Sequence, residues 1–270
     1  MSETDFLPTE ERSLCDRFIR EGHIIAPAEN RAALDRIRSL IAEEASAWLG
    51  LLPPDDPDSF LNGIAERVPV EKLNAFRLHV IGTLNATSWL RSAYYAIARR
   101  TLETVVGNEL CMQRRVNLSI QLPDDDSSLL PIHADVWSGD SPFEVVLWIP
   151  LVDCYRSKSM FLLPPAVTAR LQQEMHRYAD HGAEAMFSDF EADLAWMEVP
   201  YGSFLLFNQN LPHGNRVNRE AQARWTMNCR FKGVFTPYAD KKLGEFFEPI
   251  TLRAASRIGL DYRYPEGFEE

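Results

Sequence analysis

The chain has 270 residues, 46% hydrophobic and 25% charged, and this ordinary globular balance excludes a disordered or fibrous protein. With 28 Lys and Arg against 39 Asp and Glu, the net charge is −11, which argues against phosphate backbones and anionic membrane surfaces as partners. The 4 cysteines, Cys15, Cys111, Cys154 and Cys229, form no CxxC pair and are too sparse for a disulfide scaffold.

The first residues, MSETDFLPTEERSLCDRFIREG, are polar and acidic and lack the basic and apolar regions of a signal peptide. Ala33, Leu34, Ile37, Leu40, Ile41, Ala45, Trp48 and Leu49 recur at the helical period, and Gly50 ends that helix. LLPPDDPDS (51–59) reads as a Pro/Asp loop. A second helix is predicted from Ser88 as N-cap to Gly107, with Leu90, Ala93, Tyr94, Ile97, Leu102 and Val105 inward. Beyond Gly107 come short alternating or apolar runs separated by turn residues: 114–122, 130–137, 143–152, 159–164, 194–199, 202–208, 213–217 and 224–235. Such a series predicts a β sandwich or barrel. One helix, Val167 to Tyr178, interrupts it, and the tail 238–262 reads as helical.

The expected fold is mainly β with flanking α. The chain is read as a single domain, 1–270, with helical support (1–107), a β core (108–236) and a helical tail (237–270). The longest apolar run, Val145 to Val152, is far shorter than the ~20 residues that span a bilayer. A reduced, cytoplasmic protein that binds neither nucleic acid nor membrane is expected, and the sequons at Asn85 and Asn117 are then accidental. The sequence does not indicate the oligomeric state.

Six histidines are present. His23, His79, His176 and His181 carry no motif. His133 and Asp135 lie two apart in a β-like run, so period-2 alternation puts both side chains on one face, with Ala134 on the other. His213 opens a later β segment. Two imidazoles and a carboxylate with open positions form the facial triad that suits non-haem Fe(II). A His–Asp hydrogen bond at a barrel mouth is the plainer alternative. Downstream, Arg224, Thr226, Asn228 and Arg230 share one face of RWTMNCRF, and Trp225, Met227, Cys229 and Phe231 share the other. Two arginines on one face of a β core need an anion, and a guanidinium fork matches a carboxylate. Arg224 with Thr226 is therefore the candidate grip for a dicarboxylic co-substrate, whereas Arg230 also reads as a solvated surface arginine. The DDD at 124–126 reads as a solvated turn, because its oxygens lack the alternate spacing of a Ca2+ loop. There is no GxGxxG, GxxxxGK[ST], HExxH or GxSxG.

HADVW, WIPLVD, GSFLLFN, HGNRVN and RWTMNCRF, in that order, resemble the Fe(II)/2-oxoglutarate-dependent oxygenases of the phytanoyl-CoA dioxygenase-like superfamily. HADVWSGDSPFEVVLWIPLVD followed by KSMFLLP is similar, more narrowly, to the sporadic carbohydrate cluster (StrG-like) oxygenases. The resemblance covers roughly residues 108–260. It implies a double-stranded β-helix, or jelly roll, with His133, Asp135 and His213 as iron ligands and catalytic centre. It places Arg224 at the 2-oxoglutarate carboxylate, with Thr226 where relatives often carry Ser. Trp148 matches an aromatic flank of the co-substrate and Asn215 a polar contact, although packing and turn hydrogen bonding explain both equally. Gln121 and Asn117, on the inward face of the strand before HADVW, are further co-substrate candidates. Trp137, Ser138, Asp140, Glu144, Asn210 and Arg230 are candidate substrate contacts.

The implied chemistry uses Fe(II), 2-oxoglutarate and O2, with hydroxylation, desaturation or ring closure at a C–H bond of a small molecule. A sugar, aminoglycoside or nucleotide-linked saccharide is the implied substrate, and the net charge of −11 predicts favourable steering of a cationic aminosugar. Two other readings stay open: a cupin-like metal isomerase or hydrolase without 2-oxoglutarate, and a non-catalytic barrel that binds a polar ligand.

Overall fold

The computed structural model describes residues 6–179 and 181–267. The first five residues of the acidic N-terminal stretch and the last three of the predicted tail lie outside them. Helix α1 (Thr9–Glu21) carries Glu10 and Glu11 in its first turn, where the helix dipole favours anions. It ends at Gly22, whose φ of 74° lets its N–H bond Phe18 O at 2.7 Å. Strand β1 (His23–Pro27) and helix α2 (Arg31–Trp48) follow, the latter capped by the Asn30 side chain on the Ala33 N–H. Next come α3 (Pro57–Asn62), α4 (Val70–Ala86), α5 (Leu90–Ala96) and α6 (Arg99–Val105). Strands β2 (Leu110–Gln113), β3 (Asn117–Gln121), β4 (Glu144–Pro150) and β5 (Phe161–Leu162) precede α7 (Pro165–Glu174) and α8 (Gly182–Phe190). The chain continues through β6 (Ala195–Trp196), β7 (Ser203–Asn208), β8 (His213–Gly214), β9 (Arg224–Gly233), β10 (Phe247–Pro249) and α9 (Ala254–Asp261).

The main sheet is antiparallel, in the order β1-β7-β4-β9-β2-β10, with β3 also paired to β9. β2 and β3 occupy successive stretches of the ten-residue β9, on Phe231–Gly233 and Arg224–Asn228 respectively. A small sheet, β6-β5-β8, lies apart.

Alternation along the strands divides the interior. Trp225, Met227, Cys229 and Phe231 of β9, Val145, Leu147 and Ile149 of β4, and Phe204 and Leu206 of β7 share one apolar cluster with α2, α4 and α5. Val146, Trp148, Leu205 and Phe207 point the other way and cluster with Met160 and Leu162. The helices thus plug one face of the main sheet, and the other face is left for a cavity. Trp225 anchors the helical side. It is fully buried, donates its Nε1–H to Leu61 O at 2.8 Å and meets the Phe76 ring edge-to-face at 5.9 Å. Trp225→Ala is expected to cost about 3–5 kcal/mol of folding stability, and Trp225→Phe much less, by denaturant unfolding. Equal losses for the two would mean that the ring's burial is not what holds this face.

Several expectations need correction. Helical residues outnumber strand residues among those described, so "mainly β" holds for the site-bearing layer only. The first hundred residues are not all helix: β1, carrying His23, pairs with β7. The predicted 88–107 helix is two, broken at Ile97–Ala98, and Trp89 rather than Ser88 precedes the first. The 51–59 loop turns helical at Pro57, because proline's fixed φ suits a first helical turn and Asp56 caps it. Residues 130–137 form only an isolated bridge and a single helical turn, Asp135–Ser138. The 167–178 helix begins at Pro165 and tightens after Glu174. In the tail, β10 and irregular chain precede α9, which buries no residue. Among the described residues no helix is long and apolar enough to cross a membrane.

Candidate metal and co-substrate site

The Leu130–Asp135 segment owes its position to its neighbours rather than to a ladder. His133 and His213 exchange backbone hydrogen bonds of 3.0 and 2.8 Å. The buried Asn215 side chain accepts the Leu130 N–H at 2.6 Å and donates to Ser128 O at 3.3 Å. Gly214 makes the approach feasible, since a Cβ there would stand 2.6 Å from Leu130 O. Asp135 N–H reaches Gln209 O at 3.2 Å, which ties the carboxylate to the turn that leads into His213.

His133, Asp135 and His213 thereby converge, with a ligating atom of each within 4.8 Å of the others. His133 Nε2 is 3.5 Å from Asp135 Oδ1, and the two imidazole centroids are 4.4 Å apart. Each ring's Nδ1 faces a backbone carbonyl, Pro131 O at 2.8 Å for His133 and Leu211 O at 2.9 Å for His213. With Nδ1–H donating there, both Nε2 lone pairs point inward, as a metal requires. Burial and the adjacent His133 push His213 down to about 4, so its lone pair is free at neutral pH. Burial opposes the charge on His133, but Asp135 and Pro131 O outweigh it and raise its pKa. Burial would likewise raise Asp135, yet His133, Arg230 and His213 hold it far below the usual carboxylate range. A carboxylate and two imidazoles at this spacing are a donor set for a divalent first-row metal.

The triad opens on a cavity of about 560 Å³. The polar face of β9 lines it with Arg224, Thr226, Asn228 and Arg230, and β3 contributes Asn117 and Ser119. Trp148, Met160 and Phe207 supply an apolar wall, and Ser138, Asp140, Asn215 and Lys241 complete the polar part. Arg224 is 4% exposed. It donates to Ser159 O at 2.9 Å and Ser119 Oγ at 3.3 Å, and its Nε has no partner. Among the described residues no carboxylate pairs with it, and the ionisable groups that act on it are Cys154 and Arg77. Burial pulls this guanidinium down to about 10, so it stays charged at neutral pH.

Arg230 and Asp140 line the cavity but are engaged by protein groups, and four other candidates do not line it. Arg230 is not the solvated arginine that a surface strand would carry: it is largely buried and bonds Asp135 Oδ2 at 2.9 Å. Gln121 is fully buried and donates to Arg216 O at 2.7 Å, outside the cavity lining. Glu144 accepts from Ser141 N and Gln209, Asn210 donates to Pro142 O, and Trp137 is largely exposed; none of the three lines the cavity. Asp140 does, but Lys241 Nζ stands 2.6 Å from it. Asp125 of the DDD turn is buried rather than solvated and binds Ser127 and Ser128. Ser119, Gln209 and Lys241 also belong to the site. Parity with Asn117 along β3 marks Ser119, whereas no sequence pattern marks the other two.

No family model matches the sequence, and no curated protein matches it. Solved structures do. The nickel complex of the non-heme monooxygenase ThoJ has a TM-score of 0.57 at 16% identity, covering 94% of this chain and 89% of that one. HygX from Streptomyces hygroscopicus, with nickel and 2-oxoglutarate bound, gives 0.51 at 15%, covering 88% and 90%. The epimerase SnoN, with Fe3+, alpha ketoglutarate and nogalamycin RO, gives 0.51 at 14%, covering 92% and 97%. At such identities the likeness speaks to the fold: this chain folds as these non-haem metal enzymes do.

Proposed function

We propose that this chain is a non-haem Fe(II)- and 2-oxoglutarate-dependent dioxygenase, built as one domain around a double-stranded β-helix. His133, Asp135 and His213 would hold the iron, and Arg224 with Thr226 the far carboxylate of 2-oxoglutarate. One observation carries the reading: a buried guanidinium, without an anionic partner among the described residues, faces the same cavity as the His–Asp–His cluster. Such a charge is costly unless a ligand supplies the anion. A metal isomerase or hydrolase that uses no 2-oxoglutarate, or a barrel that binds a neutral ligand, gives that arginine nothing to do. Iron and 2-oxoglutarate would supply oxidative decarboxylation with O2 and hydrogen abstraction from a substrate C–H bond. The protein's part is to orient, through Arg224, and to exclude water, through Trp148, Met160 and Phe207.

The substrate is read as a small polar molecule of sugar type. Its charge follows from the lining rather than from the whole protein. Arg224, Arg230 and Lys241 outnumber Asp135 and Asp140 in the cavity, and the 2+ of iron and the 2− of 2-oxoglutarate cancel. Asp140, the acid that would take an ammonium, is engaged by Lys241. A neutral or anionic sugar therefore fits better than the cationic aminosugar expected from the net charge.

Anaerobic addition of Fe(II) and 2-oxoglutarate tests the assignment. A weak visible charge-transfer band is expected for the wild type, absent in His133→Ala. No band in the wild type rejects the co-substrate. Under air, succinate formation should then rise more with methyl glucoside or glucuronate than with glucosamine, and the reverse order rejects the charge preference.

A further inference from the structure

The geometry points to Arg230 and Gln209 as positioning residues that pin one oxygen of Asp135 and leave the other for the metal. This rests on the reading of the site as a ferrous centre. Gln209 is fully buried in the turn between β7 and β8 and carries no catalytic chemistry of its own. Four hydrogen bonds nevertheless make it the hub of the site's outer layer. Its backbone carbonyl accepts the Asp135 N–H at 3.2 Å. Its Oε1 accepts from Arg230 Nε at 3.2 Å, and its Nε2 donates to Ser141 O at 3.0 Å and Glu144 Oε2 at 3.1 Å. The amide thus holds both ends of one contact, the Asp135 main chain and the arginine that grips the Asp135 side chain.

That grip is one-sided. Arg230 Nη2 is 2.9 Å from Asp135 Oδ2, while Oδ1 faces the imidazoles, 3.5 Å from His133 Nε2. A carboxylate with both oxygens free can close on a metal through both and take two coordination positions. With Oδ2 committed to a guanidinium, Asp135 offers one ligand atom, so three protein ligands leave three positions open. Gln209 suits its task because a neutral amide fixes the guanidinium plane without drawing its charge away from Asp135. Asp140, held by Lys241, stands 3.5 Å from the same Arg230 Nε without a hydrogen bond to it. The candidate substrate contact Arg230 is accordingly assigned to the metal ligand instead.

Co(II) titration of the full-length protein tests this, read by affinity and by the visible Co(II) absorption, which follows coordination number. Gln209→Ala and Arg230→Ala are expected to bind Co(II) about 10- to 100-fold more weakly, with an altered spectrum. Arg230→Lys, which keeps the charge but loses the fork, should recover part of the affinity and not the wild-type spectrum. Circular dichroism melts establish which variants fold. Should the alanine variants fail to fold, Arg230→Lys carries the test alone. Wild-type affinity and spectrum in Arg230→Lys, or in the folded alanine variants, overturn the inference. A wild type that binds no Co(II) rejects the metal site itself.

Discussion

Arg224→Met is expected to bind 2-oxoglutarate roughly 30- to several-thousand-fold more weakly than the wild type while unfolding at no lower temperature. Both halves come from the same observation. In the protein alone the guanidinium is buried and, among the described residues, bonds Ser159 O and Ser119 Oγ and meets no carboxylate. Its charge is therefore desolvated without an opposite charge to compensate it, and an apolar side chain of similar length relieves that cost. When a dicarboxylate binds, the same desolvation strengthens the ion pair, and truncating one partner of such a pair costs about 2–5 kcal/mol. The check is a thermal melt with and without 2-oxoglutarate, metal present. Ligand at a hundred times its Kd adds about 2.7 kcal/mol to a protein that binds it in the folded state only. The wild type should show that upward shift and Arg224→Met at most about a third of it. A destabilised variant that still responds to 2-oxoglutarate would make Arg224 a structural residue and remove the main support for the co-substrate.

That arginine also shows how far the sequence could be read. Parity along RWTMNCRF placed Arg224, Thr226, Asn228 and Arg230 on one face, and the cavity lies there, because a ten-residue strand paired on both sides has little freedom to depart from alternation. Parity could not tell the two arginines apart. Arg230 differs only because Asp135, Asp140 and Gln209 reach it from other parts of the chain. His133 and Asp135 were read from a strand that does not form: extended backbone at Ala134 alone turns both side chains inward, and the Asp135–Ser138 turn follows at once. The helical half was legible where an amphipathic stripe met a stop signal, as over 33–49 before Gly50. It was not legible where a strand such as β1 takes its place from pairing with β7, or where the 238–253 tail is fixed by contacts such as Leu110 N–H on Thr251 and Arg253 N–H on Glu109. Gln209 has no local signature, since its task is defined by three distant segments.

Among the ligands, the larger loss of metal is expected from Asp135→Ala, which should weaken Fe(II) or Co(II) binding by at least about 100-fold, the upper end of what losing an outer-layer partner costs. The order follows from charge. A ligating imidazole is neutral, so of the three side chains Asp135 alone would bring the ion a negative charge. A divalent ion there also lies near Arg230, which contacts Asp135 directly. Without the carboxylate a 2+ ion would face a guanidinium with nothing negative between them, in a site screened little by solvent. His133→Ala removes a donor atom but leaves that charge balance in place, so its loss should be smaller. The folding cost of Asp135→Ala should also stay below the ~3–5 kcal/mol of breaking a buried pair, because Arg230 keeps Gln209 at 3.2 Å and Asp140 at 3.5 Å. Equilibrium dialysis against Co(II), with urea unfolding of the metal-free proteins, measures both. If Asp135→Ala binds metal as tightly as His133→Ala, the carboxylate is not the charge that holds the ion, and the cluster is an ordinary His–Asp contact at the edge of a polar cavity.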